Sequence, residues 1–191
     1  MSLLDAFRRR SQPATWREEN VLLIADLDRF ELNGVGFGQP VEDLRFLGPG
    51  ASGAFDYPAK GLQLDVDSHG RLDGLGLALR SGAYLDQVNP EGVREFAGRI
   101  RLRGRDWVAH ELKGENDFVV AWGEPYWRDT DEDETLVFFE FARHEVQVEL
   151  TRSGVPQVLF ITAHPLMADP AQRESYGVTA PWPPRDLAGA P

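Results

Sequence analysis

The chain of 191 residues has no cysteine, which excludes disulfides, zinc-thiolate centres and cysteine nucleophiles together. Long hydrophobic runs are missing as well. The longest, Val21 to Ala25 and Phe118 to Trp122, with Leu136 to Phe139 and Val158 to Ile161 next, fall far short of the ~20 residues a membrane-crossing helix needs, so no membrane partner is expected. Positive charge is outnumbered: 20 Lys and Arg face 31 Asp and Glu, for a net charge of −11. A surface of that sign repels a phosphate backbone and attracts basic partners, so nucleic acid is not an expected ligand. The opening residues MSLLDAFRRR place their arginines after a short apolar patch, the reverse of a secretory signal. The expected compartment is the cytoplasm.

Catalytic motifs are also wanting. Ser68, Ser153 and Ser175 lie outside any G-x-S-x-G elbow, so a hydrolase triad has no support. Gly34, Gly36 and Gly38 lack the spacing and context of a dinucleotide-binding loop, and no Gly-Lys-Ser or Gly-Lys-Thr phosphate loop occurs. His69, His110, His144 and His164 show no HxH or HxxxH spacing. The run Asp129-Thr130-Asp131-Glu132-Asp133-Glu134 offers hard oxygen ligands, yet Glu134 stands where an EF-hand loop needs its sixth-position Gly. It reads as a solvated loop. No catalytic residue, cofactor or metal ligand is assigned.

What the chain does contain is an internal match at a spacing of 84. Phe55, Tyr57, Leu62, Leu64, Val66, Gly70, Leu75 and Leu77 fall on Phe139, Phe141, Val146, Val148, Leu150, Gly154, Leu159 and Ile161 without a gap. Apolar residues alternate with polar ones through both stretches, the period of half-buried strands. Asp67-Ser68-His69-Gly70 and Thr151-Arg152-Ser153-Gly154 each end a turn on glycine, where a left-handed backbone costs least. The expected fold is α+β: two tandem units, each a short helix backing an antiparallel sheet, forming one continuous or paired sheet. Residues 1–20 make an N-terminal helix and linker, 21–104 the first unit, 105–165 the second, and 166–191 a C-terminal helix and tail. Within them the pattern predicts a helix over residues 2–10, one long strand from Val21 to Leu32, a short helix after Pro40 and a meander from Phe55 to Leu79. A fourth strand over 95–103, a helix from Glu115 to Trp122, strands near 135–142, 145–151 and 156–163, and a helix from Pro170 to Ser175 complete it.

Asp43 to Pro49 with Phe55 to Leu79, and Asp117 to Pro125 with Leu136 to Ile161, carry a helix ending in Gly-Pro or Gly-Glu-Pro followed by a meander with a small-residue hairpin. This pattern resembles the unit of the β-lactamase inhibitor protein family, and that of outer-membrane assembly lipoproteins of the SmpA and BamE type. It covers roughly half the residues. The resemblance implies a helix-backed sheet whose open face binds another protein, in a bacterial family built on the same kind of unit. The inhibitors are disulfide-bonded and the lipoproteins carry a lipidated cysteine; this chain has no cysteine, so neither activity is carried over.

Tyr126, Trp127 and Trp107 fall in loops beside charge, and exposed aromatics on a charged rim have the composition of interface anchors. The outward positions of the predicted strands add Asp65, Gln147 and Glu149, with Arg99 and Arg101 as a basic row beside them. These eight residues are the candidate partner-binding set. The expected function is a non-catalytic cytoplasmic protein-binding module of immunity or regulatory type, its partner a protein with basic character. The competing expectation is a small-ligand or metal-dependent enzyme with an acidic site between the two repeats, and a third is a structural subunit of an assembly.

Overall fold

The computed structural model describes residues 12–13, 15–85, 92–163 and 169–179; the helix expected over residues 2–10 lies outside them. Strands are numbered in chain order. A five-stranded sheet holds β1 (Ile24–Asp26), β2 (Glu31–Leu32), β3 (Val35–Gly36), β7 (Arg99–Leu102) and β8 (Arg105–Trp107), in the order β3-β2-β1-β7-β8. A seven-stranded sheet holds β4 (Asp56–Tyr57), β5 (Leu62–Val66), β6 (Leu72–Ala78), β9 (Trp127–Thr130), β10 (Glu134–Glu140), β11 (Glu145–Thr151) and β12 (Pro156–Thr162). Its order is β4-β5-β6-β12-β11-β10-β9. Two helices, α1 (Glu115–Trp122) and α2 (Pro170–Ser175), and a few one-turn 3-10 helices such as Val41–Leu44 supply the remaining regular structure among the described residues. The fold is therefore mixed and sheet-rich.

The long strand expected from Val21 to Leu32 is two short ones. Asp26 Oδ1 accepts from the N–H groups of Asp28 and Arg29, both at 3.1 Å, and Phe30 adopts a left-handed φ of 55°. That side-chain turn reverses the chain before β2 can continue β1. Asn33 and Gly34, at φ 50° and 81°, then close the β2–β3 hairpin in two residues, the backbone that the Asn-Gly pair favours.

The fourth strand expected beside the first meander also goes elsewhere. β7 runs parallel to β1, with Ile24, Ala25 and Asp26 opposite Arg99, Ile100 and Arg101, and so belongs to the five-stranded sheet. The close approach depends on Gly98, where a Cβ would stand 2.5 Å from the Leu23 carbonyl oxygen. The expected boundary between residues 104 and 105 falls within the β7–β8 hairpin, where its turn meets β8.

The meander itself is present, and so is its counterpart. β6 and β12 pair antiparallel at the middle of the large sheet, Gly76 opposite Phe160, which stand 84 residues apart. The hairpins β5–β6 and β11–β12 each carry a bulge, at Asp65/Val66 and Glu149/Leu150, and a turn closed by glycine, Gly70 at φ 77° and Gly154 at φ 80°. The match ends at the next strand. Leu62 faces Tyr57, whereas Val146 faces Phe139, two residues out of step with the ungapped spacing.

One core serves both sheets. Ala25, Leu27, Leu32, Ile100 and Leu102 from the small sheet join Leu62, Leu64, Leu75, Leu77, Val146, Val148, Leu159 and Ile161 from the large one, with Phe118 of α1 and Trp16. Each fully buried large side chain contributes roughly 1.5–3 kcal/mol, so the shared core couples the two sheets into one folding unit. A smaller cluster, Ala78, Ala83, Leu85, Val93 and Val158, lies on the other face of the large sheet.

Candidate interaction surfaces

Residues that alternate with the core positions line the outer face of the seven-stranded sheet. One cross-strand row runs Trp127, Phe138, Gln147, Phe160, Gly76, Gln63, Asp56. A second runs Glu140, Glu145, Thr162, Gly74, Asp65, and a third Asp129, Leu136, Glu149, Val158, Ala78. Five of the sequence candidates, Tyr126, Trp127, Asp65, Gln147 and Glu149, are thus brought to this one face or its margin. Gly74 and Gly76 leave room that Asp65 and Phe160 fill; a Cβ would stand 2.6 Å from Asp65 Oδ2 at the first and 2.7 Å from the Phe160 ring at the second.

Toward β9 the face is not open, as the resemblance implied, but capped by α2. Arg173 forms an ion pair with Glu140, both side chains 3% exposed, with Nη2 to Oε2 at 3.1 Å. Its guanidinium lies 5.0 Å from the centre of the Tyr126 ring, and the Tyr126 hydroxyl donates to Glu145 Oε2 at 2.7 Å. Burial, then the Glu145 carboxylate, push the Tyr126 hydroxyl well above its ordinary pKa, so it remains a donor. Trp127 packs on Phe138 at 4.7 Å and on Tyr176 at 5.2 Å. Asp169 caps α2 by accepting from the Ala171 N–H at 2.9 Å.

Glu149 stands at the β10 side of this face. Burial, with the Glu134 carboxyl beside it, raises its pKa to about 7; two carboxyls this close resist ionising together.

Strand β9 is the outer edge of the large sheet. Asp131 N–H donates to the Glu134 carbonyl at 3.1 Å, and bonded pairs alternate along an antiparallel ladder. The main-chain N–H and C=O of Thr130 and Arg128 therefore point away from β10, and among the described residues no strand lies beyond them. Arg128, Asp129 and Thr130 are exposed, as are Asp131, Glu132 and Asp133. Within the acidic run Asp131 Oδ1 accepts from the Asp133 and Glu134 N–H groups at 2.8 and 2.9 Å, which hold its pKa below the ordinary value. No group of three or more His, Asp or Glu side chains is arranged to hold a metal among the described residues.

The other three candidates stand on the small sheet. The basic row expected next to Asp65 does not form, because β7 pairs with β1; Arg101 binds Asp106 at 2.8 Å and approaches Asp26 at 3.7 Å. Arg99 is exposed. Trp107, on β8, is half-buried with the Arg105 guanidinium 3.8 Å above its ring. The Asp28 carboxylate accepts from the N–H groups of Arg103 and Gly104, each at 2.7 Å, and so fixes the hairpin tip.

Among the histidines, His144 lies between Phe30 and Phe37, ring centres 4.7 and 4.9 Å away. Burial lowers its pKa to about 4. It is a neutral packing residue at pH 7, and His69 is an exposed turn residue.

These features define a sheet-rich α+β protein with two sheets on a common core, a capped outer face and an exposed acidic strand edge. No protein-family model matches the chain, and no curated protein matches it. Among solved structures it is similar to the crystal structure of a DUF4309 family protein (YjgB) from Bacillus subtilis, at 10% identity and a TM-score of 0.41, over 70% of this chain and 84% of that one. No helix among the described residues is long and apolar enough to cross a membrane.

Proposed function

We propose that this chain is a non-catalytic, cytoplasmic protein-binding module that captures an extended, positively charged segment of a partner protein along strand β9. The observation that carries this reading is the free β9 edge: outward main-chain groups at Arg128 and Thr130, flanked by the exposed carboxylates of Asp129, Asp131, Glu132 and Asp133. An added strand gains main-chain hydrogen bonds from such an edge and specificity from its alternate side chains. Acidic flanks keep copies of this chain from pairing edge to edge, and they reverse that effect for a basic strand. Trp127 and Tyr176, the latter 54% exposed, form an aromatic wall on one side of the edge. Neutralising or regulatory capture of a basic protein is the class of role this fits. The shared bulges and glycine turns of β5–β6 and β11–β12 support an origin by duplication of one hairpin unit.

Titration calorimetry with a lysine-rich peptide of about eight residues, alternating basic and β-branched positions, tests the reading. The expected result is micromolar binding that weakens about tenfold in Asp129→Lys and falls with added salt. Thr130→Pro removes an outward N–H without touching the β10 ladder and is expected to weaken binding similarly. Equal binding of an acidic peptide, or an unchanged affinity in both variants, would refute it.

One observation favours the enzyme reading instead: Glu149, half-buried beside the Glu134 carboxyl, has its pKa raised to about 7, the range of a general acid. A metal- or metabolite-induced rise in melting temperature that Glu149→Gln abolishes would support that alternative.

A further inference from the structure

An open cleft of about 440 Å3 lies beside the β7–β8 hairpin, between its tip and helix α1, on the sheet opposite to the one that β9 closes. Leu102, Arg103, Arg105 and Trp107 line it from the hairpin, and Asn116, Asp117 and Val120 from α1. Two of these positions, Val120 and Arg103, are not explained by the fold. Val120 is 52% exposed in the middle of a helix, where a β-branched side chain adds neither propensity nor burial. Arg103 holds a left-handed φ of 56° beside Gly104 at 67°, in a two-residue turn where Asn or Gly carries less strain.

The charge of the cleft is opposite to that of the molecule. Among the described residues neither Arg103 nor Arg105 has a carboxylate partner at ion-pair distance. Arg105 instead lies on the Trp107 ring, with the Glu111 carboxylate near enough to feel its charge. Asp117 on the facing helix is occupied with the Lys113 and Gly114 N–H groups at 2.7 and 3.3 Å. Arginine and tryptophan beside apolar Leu102 and Val120, on a tip clamped by Asp28, is the composition and rigidity of a binding hot spot.

We propose that this cleft binds an acidic segment of a partner protein in which a large apolar side chain is flanked by carboxylates. The apolar side chain enters between Trp107 and Val120 onto Leu102, and the carboxylates meet Arg103 and Arg105. The site stands independently of the β9 edge and selects the opposite charge.

Fluorescence anisotropy of a labelled peptide, Glu-Glu-Leu-Glu-Glu between glycine ends, measured on the full chain, tests it. Saturable binding is expected, weakened about tenfold or more by Arg105→Glu and by Val120→Asp, with melting temperatures close to the parent. Arg103→Asn is expected to weaken binding while leaving the fold intact or more stable. Replacing the peptide leucine by serine is expected to abolish binding. If the serine peptide binds equally well, simple charge attraction is at work and the proposal fails. It also fails if Arg105→Glu and Val120→Asp bind like the parent, or if sedimentation shows self-association that Arg105→Glu abolishes, since the occupant would then be a second copy.

Discussion

Glu149 and His144 act on stability in opposite senses over almost the same pH interval. Glu149 titrates near 7 in the folded chain against an ordinary 4.5, so the fold holds its proton more tightly than the unfolded chain does. Its contribution is complete below about 4.5 and is lost as pH rises toward 7. His144 titrates near 4 against an ordinary 6.5, so its contribution is complete above about 6.5 and is lost as pH falls toward 4. Urea midpoints of Glu149→Gln should therefore rise between pH 4 and 6.5, those of His144→Phe should fall between pH 4.5 and 7, and the parent should show the flatter profile. The Glu140–Arg173 pair sets a larger effect, because both groups are 3% exposed. Arg173→Ala leaves a buried carboxylate uncompensated and should cost about 3–5 kcal/mol in equilibrium unfolding. Arg173→Met with Glu140→Gln should recover much of it.

Among the elements, the β7–β8 hairpin is held by one acidic side chain. Asp28→Ala deprives the Arg103 and Gly104 N–H groups of their acceptor and should cost about 1–3 kcal/mol, read as lost amide protection confined first to β8. Arg103→Asn relieves part of the left-handed strain and should gain about 0.5–1 kcal/mol. The same hairpin marks what the sequence could and could not disclose. Strands β5, β6, β11 and β12 and helices α1 and α2 were legible almost to the residue, because alternation, glycine turns and proline starts are local signals. The pairing of β7 with β1 joins residues some 75 positions apart, and no local pattern reports it; the arginines of β7 were therefore placed on the wrong sheet. The division of Val21 to Leu32 into two strands was within reach. Asp26 two residues before Asp28 is a turn signal, and Asn33-Gly34 is the strongest short-range hairpin signal there is. The capping of Tyr126 and Glu145 by α2 was not legible either, since the contact between Arg173 and Glu140 spans 33 positions.

For the molecule as a whole, two sheets sharing one core leave two surfaces of opposite character: an acidic edge at β9 and a basic, aromatic cleft at β8. A net charge of −11 steers a cationic partner toward the first, and the free main-chain groups of Arg128 and Thr130 give it a place to align. The measurement that tests this most directly is amide hydrogen exchange of the full chain with and without the lysine-rich peptide. Slowed exchange at Arg128 and Thr130, with unchanged exchange through β4 and β5 at the far edge, is the result the account predicts. Unchanged exchange at both amides at saturating peptide would contradict it.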